Sequence, residues 1–209
     1  MKVLILGATG GTGREIAREA GARGHSVVAL VRSKTNAGSL AGVELVEGDA
    51  RDEQILSLAL KGCSGVISSL GTSVSPFREV TLLSTATQAL VKAMEGRNVR
   101  RLVCITGLGA GDSRGHGGFL FDNLIFPLLL RKVYADKNRQ EDVVRASKLD
   151  WVLVRPVVLS DEPARGTVRA LTDLSGVHGG TVSRSDVAKF VVGQLTDDTW
   201  LHRAPLITS

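Results

Sequence analysis

Glycines stand at positions 7, 10 and 13, with one more at 11, in the stretch Gly7-Ala8-Thr9-Gly10-Gly11-Thr12-Gly13. Each of the three evenly spaced glycines has a physical job. Gly7 can take the backbone angles of a tight turn. Gly10 lets an anionic group approach the main chain where a Cβ would stand, and Gly13 lets a following helix pack close to the preceding strand. Unpaired N–H groups at the start of that helix, with the positive end of its dipole behind them, suit a pyrophosphate. The chemistry implied is dinucleotide binding. Nineteen residues past Gly13, where an NAD-binding chain places Asp or Glu for the ribose 2′-hydroxyl, stands Arg32, followed by Ser33, Lys34 and Thr35. A carboxylate would repel a 2′-phosphate, whereas a guanidinium binds it in a charge-assisted pair. Arg32 therefore predicts NADP(H).

The elements that must position these groups follow from the apolar runs. Val3-Leu4-Ile5-Leu6, a helical pattern to about Arg23, and Val27 to Val31 form a strand–helix–strand unit. A third strand over 43–47 ends in Gly48-Asp49-Ala50. The Asp49 carboxylate is placed to accept from an adenine amino group, to start the next helix, or both. A helix over 54–60 and a short strand over 65–68 lead into Ser69-Leu70-Gly71-Thr72, a loop at the carboxyl end of a strand, where open α/β sheets hold ligands. Helical spacing predicts a long amphipathic helix over 80–95, and Arg101 to Ile105 reads as the fifth strand. Six glycines in 107–118, with His116 among them, predict a flexible surface loop able to act as a lid. Residues 119–147 read as helical, kinked or split at Pro127. Trp151 to Pro156 is a sixth strand, residues 161–178 carry mixed signals, and His178-Gly179-Gly180 looks like another loop. Ser185 is expected to cap a helix running to Leu195, and a possible edge strand lies at 204–207. Strands alternating with helices predict one α/β domain over 1–209. Its Rossmann sheet should be doubly wound and mostly parallel with helices on both faces, and its substrate side should lie at about 107–135 and 157–183.

The composition narrows the class. A chain of 209 residues, 43% apolar and 22% charged, suits one domain with a full core. The charge of +5 arises from 26 basic against 21 acidic residues, scattered, with aromatics at only 4%, so a nucleic-acid surface is not expected. Cys63 and Cys104 show no metal-ligand spacing and read as reduced core thiols; no metal is expected. The apolar segment 119–130 is interrupted by Asp122, Asn123 and Pro127 and is too short for a bilayer, and no signal peptide precedes the first strand. A cytoplasmic protein is expected.

The strings GATGGTG, LVRS, GDA, SSLGT, WVLVRP and SRSDVA, in this order along essentially the whole chain, resemble the atypical short-chain dehydrogenase/reductases. Within them the chain is similar to the NAD(P)H-binding, NmrA-like branch of flavin and biliverdin reductases. The resemblance implies roles for further residues. Gly7, Thr9, Gly10, Gly11, Thr12 and Gly13 match the pyrophosphate loop, Arg32 and Ser33 the 2′-phosphate site, and Asp49 with Ala50 the adenine site. Leu70, Gly71 and Thr72 match the ribose and nicotinamide loop. Thr106 falls beside the nicotinamide, Lys137 matches the lysine on the nicotinamide ribose, and Pro156 and Val157 flank the ring. The proton-donor tyrosine of the family stands four residues before the lysine, where this chain has Val133. Tyr134, three before, should turn away from the site, about 100° around the helix. The serine and histidine expected of the flavin reductases are replaced by Gly107 and Val158.

Hydride transfer needs binding, orientation and exclusion of water more than it needs protein acid–base groups. The sequence therefore points to an NADPH-dependent reductase of a flavin-, quinone- or tetrapyrrole-like acceptor, with Thr106, Lys137 and Tyr134 as the candidate catalytic groups. Two other readings stand beside it, an NADP(H)-binding redox-sensing regulator and an enzyme like the sugar-nucleotide epimerases and dehydratases. The segment 119–130 either walls a substrate cleft or forms an exposed patch for a partner or a dimer.

Overall fold

The computed structural model describes residues 1–35, 37–38, 40–73, 79–119 and 121–209. Asn36 and Ser39 of the loop after the second strand, and Leu120 of the apolar segment, lie outside them.

Among the described residues eight strands form one sheet; counted along the chain, their order across it is third, second, first, fourth, fifth, sixth, tenth and eighth. The first six are β1 (Lys2–Leu6), β2 (Ser26–Val31), β3 (Val43–Glu47), β4 (Gly65–Ser68), β5 (Arg101–Ile105) and β6 (Asp150–Pro156). They run parallel, in registers such as Ile5↔Ala29 and Ile5↔Ile67. Side chains alternate across a strand, so β1 sends Val3 and Ile5 to one face and Leu4 and Leu6 to the other. On the first face they meet Ile16 and Ala20 of α1 (Gly11–Ala22) and Val187 and Val191 of α5 (Arg184–Gly193). On the second they meet Leu56 of α2 (Glu53–Ala59), Leu90 and Met94 of α3 (Leu82–Gly96) and Val144 of α4 (Arg131–Ala146). The result is the predicted doubly wound Rossmann sheet.

Several local expectations change. The tail strand β10 (Leu206–Thr208) is not an edge. It lies between β6, to which it is parallel, and β8 (Arg169–Leu171), to which it is antiparallel. A second, two-stranded parallel ribbon pairs β7 (Val158–Ser160) with β9 (Thr181–Ser183). Because β9 runs to Ser183, the helix starts there. Ser183, not Ser185, caps α5, its hydroxyl accepting from the Asp186 N–H at 3.0 Å. Ser185 instead donates to Glu15 of α1.

Residues 121–130 wind as a π-helix around Pro127 and tighten into α4 at Arg131. The wider winding carries a residue that has no N–H to give, and the change of pitch falls after the proline rather than on it. The N-terminus of α3 has no side-chain cap of its own. Asp136 of α4, fully buried, accepts there from the backbone N–H groups of Leu83 and Ser84 and from the Ser84 hydroxyl. This contact locks α3 to α4 behind the pocket that α4 helps to form.

Candidate active site

The strand order reverses between β1 and β4, so the loops leaving their carboxyl ends part from each other and open a crevice there. Gly7 sits in this crevice at φ +80, and a Cβ on it would overlap the Ser69 carbonyl. Gly13 is equally constrained, since a Cβ would overlap the Gly7 carbonyl. Gly10 is different. Its Cβ would meet nothing closer than the Gly7 oxygen at 3.5 Å, so that face of the turn is open. Gly10 also stands at the N-cap of α1 and offers no side chain to the first N–H groups of the helix. These N–H groups, with no acidic residue in the first turn, form a cradle that fits a pyrophosphate.

Arg32 is exposed at the end of β2, with Ser33 half-buried beside it. Asp49 is bound twice by Arg51, through the guanidinium at 2.5 Å and the backbone N–H at 2.9 Å. These bonds, aided by the nearby charge of Arg32, pull its carboxyl down to about 2. Asp49 does not start the next helix. Asp52 does, accepting from the N–H groups of Gln54 and Ile55. Ala50 is half-buried in the same turn, and Gly71 and Thr72 follow β4 on the other side of the crevice.

A cavity of about 570 Å³ opens at the carboxyl ends of β5 and β6. Leu108, Phe119, Ile125, Pro156, Val157, Val158 and Leu159 give it apolar walls, and Thr106, Tyr134 and Lys137 bring its polar side chains. The glycine-rich loop does not stand free over it. Residues 107–110 are buried, and Gly109 N–H donates to the Ser113 hydroxyl at 2.9 Å. The buried half of that loop is therefore wall rather than lid. His116 is held through Nδ1 at 3.3 Å from the Val177 carbonyl.

Lys137 donates to the Thr106 carbonyl, and burial pulls its ammonium down to about 8 against the opposing charge of Glu141. Tyr134 does not turn away. Three residues make 300° of helix, which leaves Tyr134 only about 60° from Lys137, and the cavity is wide enough to take both. Val133 is buried and does not line the cavity. The Tyr134 hydroxyl donates to the Leu108 carbonyl at 2.7 Å, and burial pushes it up to about 12. It is a spent donor and a weak acid. The Thr106 hydroxyl is likewise committed, donating to Glu141 at 2.8 Å.

Glu141 belongs to a group that sequence reasoning did not single out. Arg155, next to the end of an apolar strand and 1% exposed, donates to Glu141 through Nε at 2.9 Å and Nη2 at 2.5 Å, and to Asp112 at 2.5 Å. Gly111, at φ +55, leaves the space that Arg155 fills. The signal was an arginine inside a buried run, which demands a partner. Arg184 was also missed. Its guanidinium lies on the glycine-rich turn, with Nη1 3.0 Å from the Thr12 hydroxyl.

The sequence profile described as NAD(P)H-binding matches residues 7–198. The chain belongs to that family. Among its relatives is a Bacillus subtilis protein named as an uncharacterized sugar epimerase, 33% identical over 214 residues that cover 98% of this chain and 92% of that one. Among solved structures of this NAD(P)H-binding fold, ChuY, an anaerobillin reductase from Escherichia coli O157:H7, is 25% identical with a TM-score of 0.83, covering all of this chain and 97% of its own. A Veillonella parvula short-chain dehydrogenase/reductase in complex with NADP shares the fold at 17% identity and a TM-score of 0.80, with 100% and 94% covered. The motifs quoted above place the chain with the atypical short-chain dehydrogenase/reductases, and a nicotinamide dinucleotide is its cofactor. Among the described residues no helix is long and apolar enough to cross a membrane.

Proposed function

We propose that this protein is a cytoplasmic NADPH-dependent reductase whose acceptor is a planar, largely apolar molecule of the flavin, quinone or tetrapyrrole kind. The observation that carries the reading is the 570 Å³ cavity, in which every hydroxyl from the protein is already committed to another protein group. A sugar would find no free hydroxyl proton and mostly apolar walls there, at about 1–3 kcal/mol for each of its polar groups left without a partner. A conjugated ring system buries its faces there without that cost. The likeness to an anaerobillin reductase supports a reductase over the epimerase named among the relatives.

When bound, the nicotinamide supplies the hydride. Arg32 and Ser33 take the 2′-phosphate, and Gly7, Thr9, Gly10, Gly11, Thr12 and Gly13 hold the pyrophosphate on the open end of α1. Asp49 and Ala50 face the adenine, while Leu70, Gly71 and Thr72 line the ribose side. Lys137 holds the nicotinamide ribose. Pro156, Val157 and the Thr106 backbone, which Lys137 fixes, would form the wall that holds the ring. Leu108, Ile125 and Leu159 exclude water from the transfer. With Tyr134 and Thr106 committed, the proton that follows the hydride comes from solvent at the cavity mouth, which a flavin or quinone tolerates and an aldehyde does not.

A second reading, a redox-sensing regulator that docks on a protein or on its own copy, is favoured by one observation. Leu124, Leu128 and Leu129 are exposed around the π-wound segment, and Phe119 is 87% exposed at the cavity mouth. Following NADPH absorbance against flavins, quinones, biliverdin and small aldehydes separates the two. Turnover with a conjugated acceptor supports the reductase. NADPH binding without turnover of any acceptor supports the regulator, and a preference for aldehydes overturns both.

A further inference from the structure

Gly11 is the glycine of the phosphate turn with no conformational reason to be there. It opens α1 with no positive φ, so any residue could adopt its angles. What a Cβ on it would meet is Arg184, with Nε at 3.0 Å and Cδ at 3.1 Å. The guanidinium therefore lies against the Gly11 backbone, at the mouth of the pyrophosphate cradle, although it comes from the far end of the chain.

The ribbon explains how it gets there. In the parallel pair β7–β9, Ser160 is in register with Ser183, so the next residues, Asp161 and Arg184, leave the ribbon side by side. They pair, Arg184 Nε donating to the Asp161 carboxylate at 2.8 Å. Nη1 donates to Thr12, and Nη2 has no partner among the described residues. Asp161 is 86% exposed, held by one arginine and free to turn to water. A pair so open to solvent is worth little, whereas a guanidinium on a buried pyrophosphate makes a charge-assisted, often bidentate bond.

We propose that Arg184 is a phosphate-binding residue of the dinucleotide site, and that Asp161 is the counter-ion it exchanges for the pyrophosphate. The proposal rests on the reading of 7–13 as the cofactor turn and adds to it a second element, the α5 end of the ribbon. At its other end the same ribbon gives Val158 and Leu159 to the acceptor cavity. The arginine is thus carried by a piece of backbone that both ligands touch.

Calorimetry with NADP⁺ and with adenosine 2′-monophosphate, which lacks the pyrophosphate, tests it on the full chain. Arg184→Ala is expected to weaken NADP⁺ about tenfold to hundredfold, the scale of a charged hydrogen bond, and to leave adenosine 2′-monophosphate unchanged. Arg184→Lys recovers part of the loss. Asp161→Asn, an exposed change that leaves folding intact, tightens NADP⁺ about twofold to fivefold, because the competitor is gone. Equal loss of both ligands in Arg184→Ala would mean that the arginine only props up the turn, and it overturns the proposal. So does unchanged or weaker NADP⁺ binding in Asp161→Asn, which decides the matter even if Arg184→Ala does not fold. Failure of the unaltered protein to bind NADP⁺ would instead remove the reading of the turn itself.

Discussion

Lys137 offers the sharpest check on the site, because burial changes a quantity that can be read directly. Its ammonium is lowered from the ordinary 10.5 to about 8. At pH 8 about half of such a lysine is neutral, against roughly 0.3% of one titrating at its ordinary value, a ratio of about 150 in the nucleophilic form. Trace acetylation with acetic anhydride between pH 6 and pH 10, read peptide by peptide in a mass spectrometer, should show Lys137 rising with a midpoint near 8. An unstructured lysyl peptide added as an internal standard should still be rising at the top of the range. Saturating NADP⁺ should suppress the Lys137 signal alone. The same shift bears on stability, with a definite sign. The folded chain holds this proton less tightly than the unfolded chain, so stability rises with pH from about 8 to about 10.5 and is flat below. Lys137→Met should lose that slope. A midpoint at or above 10, or no protection by NADP⁺, would refute the placement of the lysine in a desolvated cofactor site.

Three further outcomes follow from the geometry. Arg32→Ala should narrow the preference for NADPH over NADH by about tenfold to hundredfold; equal affinities for the two cofactors in the unaltered protein would sink the assignment of NADP. Glu141→Gln strips the counter-charge from buried Arg155 and should cost about 3–5 kcal/mol in urea unfolding, so a loss under 1 kcal/mol would show that Asp112 alone satisfies the arginine. Tyr134→Phe leaves the Leu108 carbonyl without its donor and should cost about 1 kcal/mol of stability, while turnover of a flavin or quinone stays within tenfold. General acids contribute about 10²–10⁴-fold, so a hundredfold fall in kcat at unchanged NADPH affinity would restore the tyrosine to the role its family gives it.

What could be read from the sequence is what one segment demands by itself. Gly7 and Gly13 declare a close backbone approach, the apolar runs declare buried strands, and their alternation with helices declares the sheet. What could not be read depends on which distant residue meets which. Ser185 is a good cap on paper, and it is the pairing of β9 up to Ser183 that moves the start of the helix to Ser183. Strand β10 is three residues long, and nothing within it says that it pairs with β6 on one side and β8 on the other. Arg155 announces a buried counter-charge without saying that Glu141 and Asp112 supply it. Tyr134 was misplaced for another reason. It stands about 100° around the helix from Val133, the position where the family keeps its tyrosine, but only about 60° from Lys137, the residue it accompanies into the cavity.

Gly11 joins both kinds of reading and gives a last test. The sequence shows a surplus glycine, and only the fold supplies a reason, an arginine 173 residues further on. Gly11→Ala places a methyl group at the first position of α1, where alanine is the better helix former, so the unliganded protein should be no less stable than before. The methyl would lie 3.0 Å from Arg184 Nε, closer than a carbon and a nitrogen normally approach, and the flexible guanidinium must give way by a few tenths of an ångström. A displaced guanidinium no longer lies over the pyrophosphate cradle, so NADP⁺ affinity should fall while the Tm holds or rises. If the Tm and the affinity fall together, the glycine serves the turn itself. If neither changes, the contact between Gly11 and Arg184 has no part in binding.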